Sequence, residues 1–384
     1  MKKIIFASHD AGGGHRAPAE AIQKALNELF PGKYDAVVLD FIEAVGCKNL
    51  AEKSKKAWDK MLAMPIINKI GIILLEILPF VIKIYYNIYL KPFFPLLEKY
   101  LNENKVDCIF STHFFNSYAL TKLNKKKKIN FPVFQFIAEI YDVSVIWYFG
   151  NTFPYVVCSE KAKKLLLKRK TKEELIHVFP YPIKPHFTEI NRSRNEIKKS
   201  IGINNLLPTL LISFGAQGIG NIEKFIDILI NNKLNMNIIV VTGKNKKLYR
   251  KLIREYRANR NGFPNIYILG FVTNMNEIIY ASDFCFIKPG PATTMECLSL
   301  KRPVIFYLSA TFSEYTNVSF VVKKKVGFYA MDNEFLFLRY VKKLLDENFY
   351  NSISKNLEYF SASDGAFRIA KFIDKYLTEQ NIDK

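Results

Sequence analysis

Short runs of β-branched and aromatic residues alternate with helical patterns along most of the chain, and this rhythm restricts the fold more than any other feature. The runs IIFAS (4–8), AVVLD (36–40), DCIFS (107–111), PVFQFI (132–137) and YVVCS (155–159) come first. After a gap follow TLLISF (209–214), NIIVVTG (237–243), IYILG (266–270), FCFIK (284–288) and PVIFY (303–307). Strands separated by helices run parallel, because a parallel neighbour is reached only through a crossover, and such crossovers are right-handed. The pattern predicts an α/β protein with two parallel sheets. A chain of 384 residues suits two cores rather than one. The seam is expected in the polar, proline-bearing stretch around 185–208, which gives an N-terminal domain over 1–190, a C-terminal domain over 191–365 and a last helix, 366–384, crossing back to the first domain.

Charge and cysteine content restrict the partners. Lys and Arg number 56 against 35 Asp and Glu, a formal net charge of +21. Such an excess favours a polyanion or an anionic membrane surface, although runs such as Lys125–Lys128 are also what a solvated face carries. No nucleic-acid-binding module or basic-aromatic stripe is present in the sequence, so nucleic acid is not expected. The five cysteines are scattered without a CxxC pair, which predicts a reducing compartment and no structural zinc. The opening KKIIFAS is too short for a secretion signal and reads as a first strand from residue 2.

Residues 61–101 break the rhythm with a strongly apolar, aromatic segment. Lys69, Glu76, Pro79 and Lys83 interrupt it, so it does not read as a spanning helix. Two readings stand: amphipathic helices in the membrane interface, with Tyr85, Tyr86, Tyr89, Phe93 and Phe94 at headgroup depth, or a helical hairpin packed inside the N-terminal domain.

Three stretches carry chemistry. In SFGAQGIGN (213–221), Gly215, Gly218 and Gly220 follow a strand and let the backbone approach a ligand at its carboxyl end, while the GxGxxG spacing of a dinucleotide loop is absent. In FIKPGPATTMECL (286–298), a strand ends at Pro-Gly-Pro and a helix is expected from Thr293 or Thr294. Amides, hydroxyls and the positive helix end there either form a diphosphate seat that needs no metal, or the threonines merely cap the helix. Glu296 is expected in the first turn, where it either accepts from the hydroxyls of a ribose or complements the dipole. Further on, Glu314 and Asn317 are three apart and would share a helix face able to read sugar hydroxyls. The third stretch, GGGHRAPAEAI (12–22), runs three glycines into His15 before a helix.

These stretches, with FSTH (110–113), YPIKPHF (181–187), VVTGKNKKL (240–248), GFVTNMNEII (270–279) and SEYTN (313–317), resemble the monogalactosyldiacylglycerol synthases and processive diacylglycerol glucosyltransferases. Those enzymes group with the MurG-like family 28 glycosyltransferases. The resemblance implies a GT-B fold, two Rossmann-like domains with parallel sheets facing across a cleft. It implies inverting transfer of a hexose from a UDP-sugar to diacylglycerol at the membrane surface, with no metal and no cofactor. The alternatives are transfer of N-acetylglucosamine to a polyprenyl-linked acceptor, or an inactive relative. By the same resemblance the UDP-sugar falls to Gly215, Gly218, Gly243, Pro291, Thr293, Thr294, Glu296, Glu314 and Asn317. The acceptor loop falls to Gly13, Gly14, Glu139 and Trp147, where the Asp of relatives aligns with Glu139 or Ile140 and Asp142 lies nearby. His15 is the expected base, since a neutral imidazole is available near pH 7. Residues 61–101 and the basic patches are expected to meet an anionic membrane, which would place the protein peripherally on the cytoplasmic face.

Overall fold

In the computed structural model, the chain is described except for residues 11–12, 64–70, 72–73, 216–219, 257–262, 310, 361–363 and 380–384. The side chains of 58–59, 61–63 and 312–313 are likewise outside the description. Two compact units result. The first comprises Met1–Pro185 with Ala310–Thr316 and Ser363–Lys384, and the second comprises His186–Ser309 with Asn317–Ala362.

In the first unit six strands lie parallel: β1 (Lys2–Ser8), β2 (Tyr34–Asp40), β3 (Cys108–Ser111), β4 (Val133–Phe136), β5 (Tyr155–Val157) and β6 (Ile176–Val178). Their spatial order is 2-1-3-4-5-6. The central β1, β3 and β4 are almost wholly buried, as the apolar runs on which the expectation rested require of a sheet covered on both faces. The helix Arg16–Leu29 buries Ala19, Ala21, Ile22, Ala25 and Leu26, and the last helix, Gly365–Glu379, packs against it. Gly365 is required at that junction, because a Cβ there would lie 2.3 Å from the Pro180 carbonyl oxygen.

The second unit repeats the plan with β7 (Thr209–Ser213), β8 (Asn237–Val241), β9 (Asn265–Leu269), β10 (Phe284–Ile287), β11 (Val304–Phe306) and β12 (Gly327–Tyr329) in the order 12-11-10-7-8-9. These two sheets and their flanking helices make a GT-B fold. The short strands β6 and β12 were not expected. Each lies at a sheet edge and is only partly buried, so IHV and GFY lack the continuous apolar run that marks the equally short β5 and β11.

Strand order fixes where ligands bind. Open parallel sheets hold ligands beyond the carboxyl ends of their strands, at the point where the order of connection reverses. In the first unit β1 has β2 on one side and β3 on the other, so that point lies beyond Ser8 and Ser111. In the second it lies between β7 and β10, beyond Ser213 and Ile287. The first position is flanked by His9, Asp10 and Gly13–His15 and by Thr112–His113; the second is flanked by Gly215 and by Pro289–Pro291.

The apolar segment divides between the two readings offered for it. In the helix Pro79–Tyr89, Ile82 and Tyr86 are buried against the domain, and Phe93 beyond it is fully enclosed, so Tyr86 and Phe93 are core residues and not headgroup anchors. The other face is bare. Ile77 is 67%, Phe80 59% and Ile88 71% exposed, with Leu74, Ile84 and Tyr85 beside them. Among the described residues, no helix is long and apolar enough to cross a membrane.

Candidate active site

The first unit gathers three histidine rings at its switch point. His15 is the N-cap of the helix Arg16–Leu29 but makes no side-chain cap bond. Its Nδ1 lies 2.8 Å from the Thr112 carbonyl oxygen, just past β3. A carbonyl only accepts, so the proton sits on Nδ1 and Nε2 keeps its lone pair. The ring lies edge-on to His113 at 4.5 Å between centroids and tilted toward Trp147 at 5.8 Å. Burial disfavours its charged form, and against the bond to Thr112, which favours it, the His15 pKa falls to about 4. The side chain is thus a neutral imidazole with a bare Nε2 at ordinary pH.

The supporting residues come from distant parts of the sequence. His113 caps the helix Phe114–Lys125 by accepting the Phe115 amide at Nδ1, and burial holds its pKa well below the usual value. Asn116, one turn on, donates to the carbonyls of Ala7 and Ser8 and so ties that helix to the end of β1. His9 is fully enclosed, with Asp40 at 3.1 Å and Ser54 at 2.6 Å. The pair His9–Asp40 brings together the ends of the neighbouring strands β1 and β2. Sequence reasoning passed over His9 and Asp40, whose separation of 31 positions has no periodic signature.

Of the acceptor-side candidates, Glu139 and Trp147 are joined by a bond from the indole Nε1 to Glu139 Oε1 at 3.3 Å, and both are buried. Of the nearby alternatives, Ile140 is buried and Asp142 is held by Lys161 at 2.6 Å. The turn that carries Trp147 is fixed by Glu76, which accepts from Ser144 Oγ at 2.9 Å, from the Val145 amide at 2.6 Å and from Arg169 at 2.7 Å. In sequence Glu76 looked only like a break in an apolar run; its signal was a lone carboxylate where nothing local pairs with it. Gly13 and Gly14 lie in the turn before His15. A Cβ on Gly13 would meet nothing within 4 Å, so neither packing nor a positive φ demands glycine there.

In the second unit the helix expected from Thr293 or Thr294 starts earlier, at Pro291, with Gly290 as N-cap. Proline at the first helical position is preorganised for this and lacks only an amide that the helix does not use. Two corrections follow. Thr294 is fully buried and its hydroxyl donates to the Gly290 carbonyl at 2.7 Å, so it closes the first turn from inside instead of facing a ligand. Glu296 belongs to the second turn, partly exposed, where complementing the helix dipole no longer accounts for it. The first-turn amides of Ala292 and Thr293 have no acceptor within the helix. Gly215 takes φ +81° two residues after β7 ends, and Gly243 takes φ +59° two residues after β8 ends, both in the left-handed region that favours glycine. Gly218 lies outside the described residues.

Glu314 and Asn317 share the helix Phe312–Lys323 but face different tasks. Glu314 Oε2 accepts the Thr311 amide and its own amide bonds the Thr311 hydroxyl, both at 3.2 Å, a capping box. Asn317 is fully buried and donates to the Pro289 carbonyl at 2.9 Å, holding the loop that leads into the Pro291 helix. It therefore braces that loop from within the core. Asn317→Ala should lower stability by about 1–3 kcal/mol, read as a shifted denaturation midpoint, because the Pro289 carbonyl is left buried without its partner. Among the described residues, no group of three His, Cys, Asp or Glu side chains converges as metal ligands.

Known proteins resemble both parts of the chain. Residues 15–183 match the family described as monogalactosyldiacylglycerol (MGDG) synthase, a match that begins at His15. Residues 212–375 match the glycosyltransferase family 28 C-terminal domain. The chloroplastic monogalactosyldiacylglycerol synthase of Spinacia oleracea is 25% identical over 350 residues, 85% of this chain and 63% of that protein, so the chain spans less than two thirds of that relative's length. A processive diacylglycerol beta-glucosyltransferase of Staphylococcus carnosus is 24% identical, covering 72% of this chain and 69% of that one. Among solved structures, S. aureus MnaA with UDP superposes with a TM-score of 0.63 at 16% identity, covering 98% and 97% of the two chains. MurG of Acinetobacter baumannii gives 0.60 at 11% identity, covering 98% and 100%; at such identities the likeness speaks for the fold. The chain is thus similar over residues 15–183 to the monogalactosyldiacylglycerol synthases and over residues 212–375 to the C-terminal domain of the family 28 glycosyltransferases.

Proposed function

We propose that the protein transfers a hexose from a UDP-sugar to diacylglycerol at a membrane surface, with inversion at the anomeric carbon. The observation that carries this reading is His15: a neutral imidazole with Nδ1 committed to Thr112 and Nε2 bare, at the switch point of the unit that matches the galactolipid synthases. Nε2 takes the proton from the acceptor hydroxyl as its oxygen bonds to the anomeric carbon and the bond to UDP breaks. The leaving diphosphate is received by the first-turn amides and positive end of the Pro291–Ser299 helix, which stabilise developing charge without reorganising. Gly215 and Gly243 line the approach to that seat, and Glu296 holds the ribose. Trp147 and Glu139 wall the acceptor side, and the open space over Gly13 leaves room for the lipid headgroup. No metal or other cofactor is needed in this scheme.

The bare face formed by Ile77, Phe80, Ile84 and Ile88 is the contact with lipid. Lys83 and Lys91 flank it, and the chain's net charge of +21 adds long-range attraction to anionic headgroups. Replacing those four residues by serine should weaken binding to phosphatidylglycerol vesicles by about tenfold or more in a flotation assay, because the buried apolar area is what anchors such a helix. The acceptor is tested by presenting diacylglycerol and a polyprenyl-linked acceptor in the same vesicles with a UDP-hexose. Product on diacylglycerol supports the reading, and product confined to the polyprenyl lipid overturns it.

A further inference from the structure

Glu76 interrupts the bare apolar segment from within. It lies in the helical turn 74–77, between Leu74 and Ile77, which are 53% and 67% exposed. A carboxylate there adds nothing to apolar burial, and an ion pair is weak evidence for stability because desolvation offsets the attraction. What its contacts fix is position. Oε1 accepts from the Ser144 hydroxyl at 2.9 Å and from the Val145 amide at 2.6 Å, while Oε2 accepts from the Arg169 guanidinium at 2.7 Å. Tyr86, in the helix Pro79–Tyr89 that follows, donates its hydroxyl to the Ile146 carbonyl at 3.4 Å. Three successive residues, Ser144 to Ile146, are therefore held from the segment whose other face is bare.

The held residues belong to a turn that needs holding. Val145–Trp147 is a single 3-10 turn, closed by the Trp147 amide on the Ser144 carbonyl and the Tyr148 amide on the Val145 carbonyl. Hydrogen-bond geometry in such turns is poorer than in an α-helix, so outside contacts decide where the turn sits. Arg169 completes the frame: its carbonyl accepts the Tyr148 hydroxyl while its guanidinium meets Glu76. Trp147 moves with this frame, its ring 5.8 Å from that of His15 and its Nε1 bonded to Glu139.

We propose that Glu76 is a positioning residue that ties the lipid-facing segment to the Trp147 turn, so that seating the segment in a lipid surface fixes the wall of the acceptor site. This rests on the reading of the bare face as the lipid contact and of Trp147 as a wall of the acceptor side. Away from lipid, the segment is supported on one side only. Acyl chains around Ile77, Phe80, Ile84 and Ile88 supply the other side, and the restraint passes through Glu76 and Tyr86 to the turn. Turnover is thereby coupled to the surface that carries the acceptor.

The test follows amide hydrogen exchange in the full chain, free and bound to phosphatidylglycerol vesicles. Exchange at Val145, Trp147 and Tyr148 should slow by about tenfold or more on binding, since the Val145 amide bonds Glu76 directly and the other two close the turn. With Glu76→Ala the same amides should exchange at one rate with and without vesicles, while binding in flotation stays within about twofold. No slowing in the unsubstituted chain overturns the proposal without recourse to any variant, and slowing that survives Glu76→Ala overturns it as well. Neither reading requires sugar transfer, so failure here is distinct from failure of the assigned function. In kinetics on diacylglycerol vesicles, Glu76→Ala should lower kcat by about tenfold and leave the KM for the UDP-sugar within about twofold. Glu76→Gln, which keeps an oxygen for Ser144 and Val145, should recover most of that loss. An unchanged kcat, a KM that rises in parallel, or no recovery with glutamine would overturn it.

Discussion

His15→Ala is expected to lower kcat by about 10²–10⁴-fold, the range supplied by a positioned general base, while UDP still binds. The separation matters because the imidazole belongs to the first unit and the proposed diphosphate seat, at the Pro291–Ser299 helix, to the second. A variant that lost UDP affinity in parallel would make His15 a donor-site residue, and one that turned over normally would remove it from the mechanism. His15→Gln adds a finer point. Glutamine can donate to Thr112 as Nδ1 does, so the loop stays in place, but it offers no basic nitrogen. Its rate should stay close to that of the alanine variant.

The second large effect belongs to the donor side. Glu296→Ala should weaken UDP by about 10- to 100-fold, since a hydrogen bond to a charged acceptor contributes about 1.5–3 kcal/mol and each 1.4 kcal/mol is a factor of ten. The loss should appear in KM and in UDP titration, with kcat at saturation much less changed, because the ribose is remote from the reacting carbon. Position on the helix supports this role. In the second turn the carboxylate is beyond the reach of the dipole, and it is half-buried where Thr294 is fully enclosed.

The sheets were legible in sequence because buried parallel strands are continuous apolar runs, and ten of them stand out between polar helices. The three-residue strands β6 and β12 carry no such run. The site was legible where one short stretch holds it. GGGHR places His15 after β1, and PGPATT places a helix start after β10, although Pro291 started that helix two residues before the threonines. What escaped notice depends on strand order. Nothing local tells His9 that Asp40 and Ser54 will surround it, since that follows from β2 pairing beside β1 and from the helix Lys48–Ala63 returning over them. Glu76 is a similar case, a carboxylate set in apolar sequence because its partners, Val145 and Arg169, come from elsewhere in the fold. Tyr86 and Phe93 were misjudged because the segment is apolar on both faces, and only packing decides which face turns inward.

The central claim is sugar transfer to diacylglycerol by a side-chain base. The direct measurement incubates the purified chain with diacylglycerol vesicles and, separately, UDP-galactose, UDP-glucose and UDP-N-acetylglucosamine, in the presence of a metal chelator, and reads the lipid products by mass and anomeric configuration. The account predicts a glycosyl diacylglycerol of β configuration from at least one donor, undiminished by the chelator and absent with His15→Ala. No lipid product from any donor, or an α-linked one, would contradict it.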